Sequence, residues 1–405
     1  MSQNKNRLRQ NTVSGYFLPI LVPNIALIER RACFTPSSHP TLPQGNLMVE
    51  LSALTYWVLI ISFAKGDTGG LYLAKLDAQA QTLALVEHIT DGINRPIFAR
   101  FSNDGKQLFV VDNDGDDPKT KFGALAIYSF DAKTGKLTLQ GRTSTLGRGS
   151  CYVGLAPANA LIANYGTGSV TAIPFNEQGP AEGSVSYQHT GSSAHPRRQT
   201  KPHAHSFVPS PDGRFALAAD LGTDQVTIHP ITDGKVQPVT NTIKLQPGAG
   251  PRHIAFSPDP RLMFVVNELD STLNSYQWDA KAGNAKPLNS ISTLPADFQG
   301  NNSAADIYTH PFMPIVYTSN RGVDSIAVSQ YDQQGKLKLI TNIPSGGGHP
   351  RGFALTRDGR FMLVANRDAN NVVLFTIQGN NPVPMNVGKE LSIPMPMCVT
   401  TLPIE

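Results

Sequence analysis

Residues 205–226 read HSFVPSPDGRFALAADLGTDQV. A short run of β-formers leads into Ser210-Pro211-Asp212-Gly213, and a second apolar run follows, ending on Asp220. Proline presets φ for a turn and glycine supplies a positive φ, so the stretch is written as a β-hairpin. The same plan recurs in FARFSNDGKQLFVVDND (98–114), CYVGLAPANALIANYGTGSV (151–170), RHIAFSPDPRLMFVVNELDSTL (252–273), ADIYTHPFMPIVYTSNRGVDSI (305–326) and RGFALTRDGRFMLVANRDANNV (351–372). The turn position falls at Asn103, Pro157, Pro211, Pro258, Pro311 and Arg357, at intervals of 54, 54, 47, 53 and 46 residues. Nine residues after most of these turns stands Asp112, Asp220, Asn267, Asn320 or Asn366; Asn164 arrives after seven.

Several strands repeated every 40–50 residues or so mark the blades of a β-propeller. Six repeats are complete. A seventh is split between TYWVLIISFAKGDTGGLYLAKLD (55–77) and ELSIPMPMCVTTL (390–402). Closing the ring with strands from both ends removes edges that would otherwise pair with other chains. The expected fold is therefore all-β: a seven-bladed propeller of four-stranded antiparallel blades, closed by N- and C-terminal strands. It is expected to occupy 54–405, after an N-terminal extension at 1–53 expected to be poorly structured.

Composition agrees with this reading. Of 405 residues, 40% are hydrophobic and 16% charged, with 35 glycines and 31 prolines, which suits many short strands and turns. The net charge of +4 is mild, and no Lys/Arg run is interleaved with aromatics, so no nucleic-acid partner is expected. No apolar stretch is long enough for a membrane helix, and no membrane partner is expected. Lys5, Arg7 and Arg9 precede YFLPILVPNIALI (16–28), which loosely mimics an export signal. Its two prolines and the following Glu29-Arg30-Arg31 argue against one, so a cytoplasmic location is expected, with export the alternative. Met48 is an alternative start. Cys33, Cys151 and Cys398 show no CxxC spacing and are read as free thiols, with one pair possible.

In a propeller the first strand of each blade lines the central channel, so equivalent positions form rings. Six residues before each turn stand Ile97, Cys151, His205, Arg252, Ala305 and Arg351. Three of these are basic or polar where a packed barrel wants apolar side chains. After the Asn/Asp position come Asn113, Tyr165, Leu221, Glu268, Arg321 and Arg367. One end of the channel is thus expected to gather His205, Arg252, Glu268, Arg321 and Arg351, with His203, His253 and His349 near by. Arginine forks match carboxylate or phosphate, which implies an anionic ligand. Either His205 or Glu268 is placed to act as a general base, and an arginine to steady an oxyanion. The structural alternatives are a His205 bonded to a backbone carbonyl, a plain Arg252–Glu268 ion pair, a solvated Arg367 and a loop-shaping His349. His203 and His205, two apart, lack the further ligands a metal requires, and nearby arginines repel cations.

The stretches RRQTKPHAHSFVPSPDGRF, GAGPRHIAFSPD, VVNELDSTL, SNRGVDSIAV, GGGHPRGFAL and ANRDANNVVLF, taken in order, resemble the lactonase family of seven-bladed propellers. That family includes propeller-type 6-phosphogluconolactonases and the fungal 3-carboxy-cis,cis-muconate cyclase. The resemblance implies a small anionic lactone as substrate, such as 6-phosphogluconolactone, and neither metal nor cofactor. In the cyclase branch the implied catalytic set falls on His205, Arg252, Glu268 and Arg321; His203, His253, His349 and Arg351, from the ring positions, are expected around the substrate. A lactonising cyclase is the alternative activity, and a binding scaffold without catalysis is the alternative from another class. The chain departs from the family at Tyr152, where a histidine is usual, at Asn94-Arg95-Pro96 and at Ile61-Ser62-Phe63.

Overall fold

A computed structural model describes residues 55–113 and 121–404. The extension at 1–53, with its signal-like stretch, Cys33 and Met48, lies outside the described residues.

Seven separate antiparallel sheets follow one another. Blade 2 begins at Pro96–Phe101, blade 3 at Ser150–Ala156, blade 4 at Ala204–Pro209, blade 5 at Pro251–Phe256, blade 6 at Ser303–Thr309 and blade 7 at Pro350–Leu355. In each, that strand is innermost and the following strands step outward. Blade 1 joins the two ends of the propeller: Thr55–Ser62, Gly70–Asp77 and Thr82–Ile89 form its outer three strands, and Pro396–Pro403 is its inner one. Tyr56 pairs Pro403 and Ile61 pairs Cys398, so the ring is closed by backbone hydrogen bonds as the split repeat implied. Among the described residues no helix is long and apolar enough to cross a membrane.

The second strands explain why the blades stack. QLFVVD, NALIAN, LMFVVN and FMLVAN are buried along their whole length, because each sheet is covered on both faces by neighbouring blades. Each such Leu, Val, Ile or Phe contributes about 1.5–3 kcal/mol of burial free energy. The fit between blades is close. A Cβ at Gly154 would lie 2.2 Å from Phe207 O of blade 4.

The turn between inner and second strand forms as its sequence suggests. In blade 4, Ser210 Oγ bonds Asp212 Oδ1 at 2.6 Å, Gly213 N donates to Ser210 O at 2.9 Å, and Gly213 has φ +69°. At the other end of the hairpins stands the repeated Ser/Asn/Asp: Ser62, Asp112, Asn164, Asp220, Asn267, Asn320 and Asn366, all fully buried. Asn164, Asn320 and Asn366 donate to Thr145 O, Thr293 O and Ser345 O, which lie in the connections arriving from the preceding blade. These three side chains therefore pin loops.

Candidate active site

One irregularity, repeated seven times, builds the channel. In every blade the inner strand carries one residue more than its partner strand, a β-bulge. In blade 5, for example, Pro251 pairs Asn267 while His253 already pairs Val266, which leaves Arg252 over. The extra residues are Met397, Ile97, Cys151, His205, Arg252 and Arg351, with the Ala305-Asp306 pair sharing the bulge in blade 6. A bulge interrupts the alternation of side chains and re-aims one of them, here toward the axis. Ile97, Cys151, Arg252, Arg351 and Met397 line one narrow void in the middle of the channel.

Because each hairpin is antiparallel, the start of the inner strand and the end of the second strand lie at the same end of the channel. That end gathers the charges. Glu268 is 4% exposed and accepts from three guanidinium groups. Arg198 Nη2 reaches Oε1 at 2.6 Å, Arg252 Nε reaches Oε2 at 3.0 Å, and Arg321 Nη2 stands 3.0 Å from Oε2. Burial alone would raise the Glu268 pKa, but Arg321, Arg252, His205 and Arg198 outweigh it and hold the carboxyl well below its ordinary range. Arg252 also donates from Nη1 to Ala305 O at 2.6 Å, and Arg321 donates to Ser303 O and Ala304 O at 3.1 and 2.8 Å. Arg252 is thereby fixed across the gap between blades 5 and 6, while Arg321 is anchored within blade 6 and reaches blade 5 through Glu268.

His205 lies between Cys151 and Glu268, with Nδ1 3.8 Å from Cys151 Sγ and Nε2 3.9 Å from Glu268 Oε2. Burial, Arg252 and His253 depress its pKa well below 6.5, so the imidazole is neutral at pH 7. The Cys151 thiol is pushed up to about 11 by burial, which leaves it a poor nucleophile. Arg351 faces the same channel and makes no hydrogen bond or ion pair with the described residues. Burial and the neighbouring Arg252 and Arg321 push its pKa down to about 9.

His203 stacks on Tyr165 at 4.3 Å between ring centres and donates from Nδ1 to Tyr165 O at 2.8 Å. His349 sits at the rim with φ +61°, its Nδ1 3.5 Å from Asp368 Oδ2. Burial and the charges of Arg321 and Arg367 push His349 down to about 4. His253 is set deeper and on the far side of Arg252, its Nδ1 2.8 Å from Asp306 Oδ1. Arg367 turns instead to Asp368, at 2.6 Å. Among the described residues no three His, Cys, Asp or Glu side chains gather as a metal ion would require. Cys151 and Cys398 are free and buried.

Three participants escaped the repeat. Arg198 belongs to the long connection into blade 4, outside any equivalent position. Tyr165, whose hydroxyl accepts from Arg198 at 3.1 Å, stood in the ring of residues after the Asn/Asp position but carried no charge to mark it. Asp306 follows an alanine at the bulge. The departures at Arg95 and Phe63 meet: the Arg95 guanidinium lies 4.2 Å over the Phe63 ring, between blades 2 and 1 at this same end of the channel.

Comparison with known proteins points one way. Residues 57–401 match the family model described as lactonase, 7-bladed beta-propeller. The chain is 30% identical over 346 residues to the 6-phosphogluconolactonase of Bacillus subtilis (strain 168), covering 84% of this chain and 97% of that protein. It is 28% identical to the 6-phosphogluconolactonase of Formosa agariphila, over 76% of this chain and 88% of that one. The solved structure of the periplasmic gluconolactonase of Pseudomonas aeruginosa superposes with a TM-score of 0.78 at 25% identity, over 87% of this chain and all of that one.

Proposed function

The chain belongs to the seven-bladed β-propeller lactonase family, and from that premise we propose that it hydrolyses a small anionic sugar-acid lactone, 6-phosphogluconolactone to 6-phosphogluconate first among them. The observation that carries the reading is Arg351. Like charges packed side by side are costly without a counter-ion, and the half-buried Arg351 stands beside Arg252 and Arg321, whose common counter-ion Glu268 is already shared with Arg198. The described channel mouth thus holds more positive charge than it neutralises, and a phosphate or carboxylate on the substrate supplies the balance.

Chemically, a water oxygen adds to the lactone carbonyl carbon while its proton passes to Nε2 of the neutral His205. Arg252 and Arg321 hold the oxyanion that forms. The bond from carbon to ring oxygen then breaks, and that oxygen takes the proton back from His205, which leaves the open hydroxy acid. Glu268 is a poor base with three guanidiniums on its oxygens; its part is to hold them. A polar mouth of this kind also argues against a scaffold with a sealed, apolar channel.

The test is a pH-stat assay, corrected for spontaneous hydrolysis, on 6-phosphogluconolactone, glucono-1,5-lactone and a muconolactone, with and without chelator. Fastest turnover of the phosphorylated lactone, unchanged by chelator, is expected. Turnover of the muconolactone alone, or of none of the three, would overturn the proposal.

A further inference from the structure

The channel has a second mouth. At the end opposite Glu268, among the turns that join inner and second strands, lies an open cavity of about 900 Å³ contributed by blades 2 to 6. The reaction proposed above places no substrate in it, although His253 and Asp306, which back Arg252, form part of its wall. Its origin is again a ring of equivalent positions, three residues before each turn: Arg100, Gly154, Val208, Ala255, Tyr308 and Ala354. Of these, Gly154, Val208 and Ala255 line the cavity with little bulk, and Arg100 and Tyr308 reach in from blades 2 and 6.

Arg100 is the informative residue. Its Nε donates to Val153 O at 3.1 Å and its Nη2 to Tyr152 Oη at 3.0 Å, both uncharged acceptors. Nη1 has no partner among the described residues, and no carboxylate there pairs with the guanidinium. Tyr308 Oη, on the facing wall, makes no hydrogen bond to the described residues either; its ring packs on Phe353 at 5.1 Å between centres. Tyr152, the residue that stands where the family usually has a histidine, holds Arg100 in this pose and has its ring 4.5 Å from that of Phe98. Phe98, Tyr152, Tyr308 and Phe256 supply aromatic wall. An arginine fork with a free edge, a phenol donor and aromatic faces together suit one planar anionic group on an apolar body. The rim carries Asp104, Glu177 and Asp212, and Asp306, bonded to His253, stands deeper in the wall near Arg100; these carboxylates repel a phosphate dianion and favour at most a single negative charge.

We propose that this cavity is a second ligand site, which binds a monocarboxylate with an aromatic or similarly flat apolar body through Arg100 and Tyr308. It opens at the other mouth and shares only the His253–Asp306 wall with the groups behind Arg252; its failure would leave the lactonase reading untouched.

The experiment is a ¹⁹F NMR titration of the purified full chain with 4-fluorobenzoate, with 4-fluorobenzamide as the uncharged isostere. Saturable binding of the benzoate is expected, at least tenfold weaker for the amide. Arg100→Met should weaken benzoate binding at least tenfold and leave lactone turnover unchanged, while Arg351→Met, at the other mouth, should retain benzoate binding. Should Arg100→Met fail to fold, Arg100→Lys and Tyr308→Phe give the same reading, each with weaker binding than the parent. No saturable binding, binding that survives loss of Arg100, or binding lost in Arg351→Met and kept in Arg100→Met would each overturn the proposal.

Discussion

Arg252 Nη1 lies 3.1 Å from Nε2 of His253, the residue that follows it in sequence. His253 Nδ1 lies 2.8 Å from Asp306 Oδ1. A carboxylate takes the proton of Nδ1, so Nε2 is left as the acceptor for the guanidinium. Burial and Arg252 push the His253 pKa down to about 4, which keeps this tautomer neutral at pH 7. Asp306 thus orients His253, and His253 orients Arg252. Asp306→Asn is expected to lower kcat/KM for the lactone about tenfold, roughly 1.4 kcal/mol of transition-state stabilisation. Most of the loss should fall in kcat, since Asp306 bonds His253 and acts on Arg252 only through it. Steady-state kinetics separate the two; a pure KM effect would remove Asp306 from this role.

Arg252→Ala should cost about 10²–10³ in kcat, as loss of an oxyanion donor does. The fold should survive, because Glu268 keeps Arg198 at 2.6 Å and Arg321 at 3.0 Å. Circular dichroism and a thermal melt alongside the assay check both halves.

Glu268→Gln removes the carboxylate that three guanidiniums share. Taking one partner out of a buried ion cluster costs about 3–5 kcal/mol. A urea titration should show that loss, and a variant as stable as the parent would mean that the cluster is far better solvated than its 4% exposure indicates.

Arg351→Met exchanges a half-buried charge, set beside Arg252 and Arg321 and without an ion-pair partner among the described residues, for an apolar side chain of similar volume. The free protein should become more stable, with a higher Tm, while KM for the phosphorylated lactone rises and the preference over glucono-1,5-lactone shrinks. A variant with lower Tm and unchanged preference would show that Arg351 serves packing alone.

Two pH effects follow from the histidines. His205 is depressed well below 6.5, so the acid limb of kcat/KM should fall well under pH 6.5, and His205→Gln should abolish it along with most activity. For stability, the unfolded chain protonates His253 near its ordinary pKa of 6.5 while the folded chain resists until about pH 4. Between these values the unfolded state binds more protons, so stability is full above pH 6.5 and is lost as pH falls toward 4. This single group accounts for about 3 kcal/mol. Denaturant melts at pH 7, 5.5 and 4.5 measure the slope.

The fold was legible from the spacing of SPDGRF-like turns, because every blade solves the same local problem with the same residues: a tight turn, a strand covered on both faces, and a buried Asn or Asp that pins the incoming loop. The same spacing brought His205, Arg252, Glu268, Arg321 and Arg351 to one end of the channel before any coordinates. How these groups share their charges was decided only in three dimensions. That Glu268 is saturated and Arg351 left without a partner among the described residues depends on distances across the axis between blades 4, 5, 6 and 7, set by a bulge that no single residue announces. Arg198 enters from a connecting segment that repeats nowhere, and the Asp306–His253–Arg252 chain joins two blades. Coulomb and hydrogen-bond energies in a buried channel change steeply over an ångström or two, while a sequence motif specifies only which element a side chain leaves from.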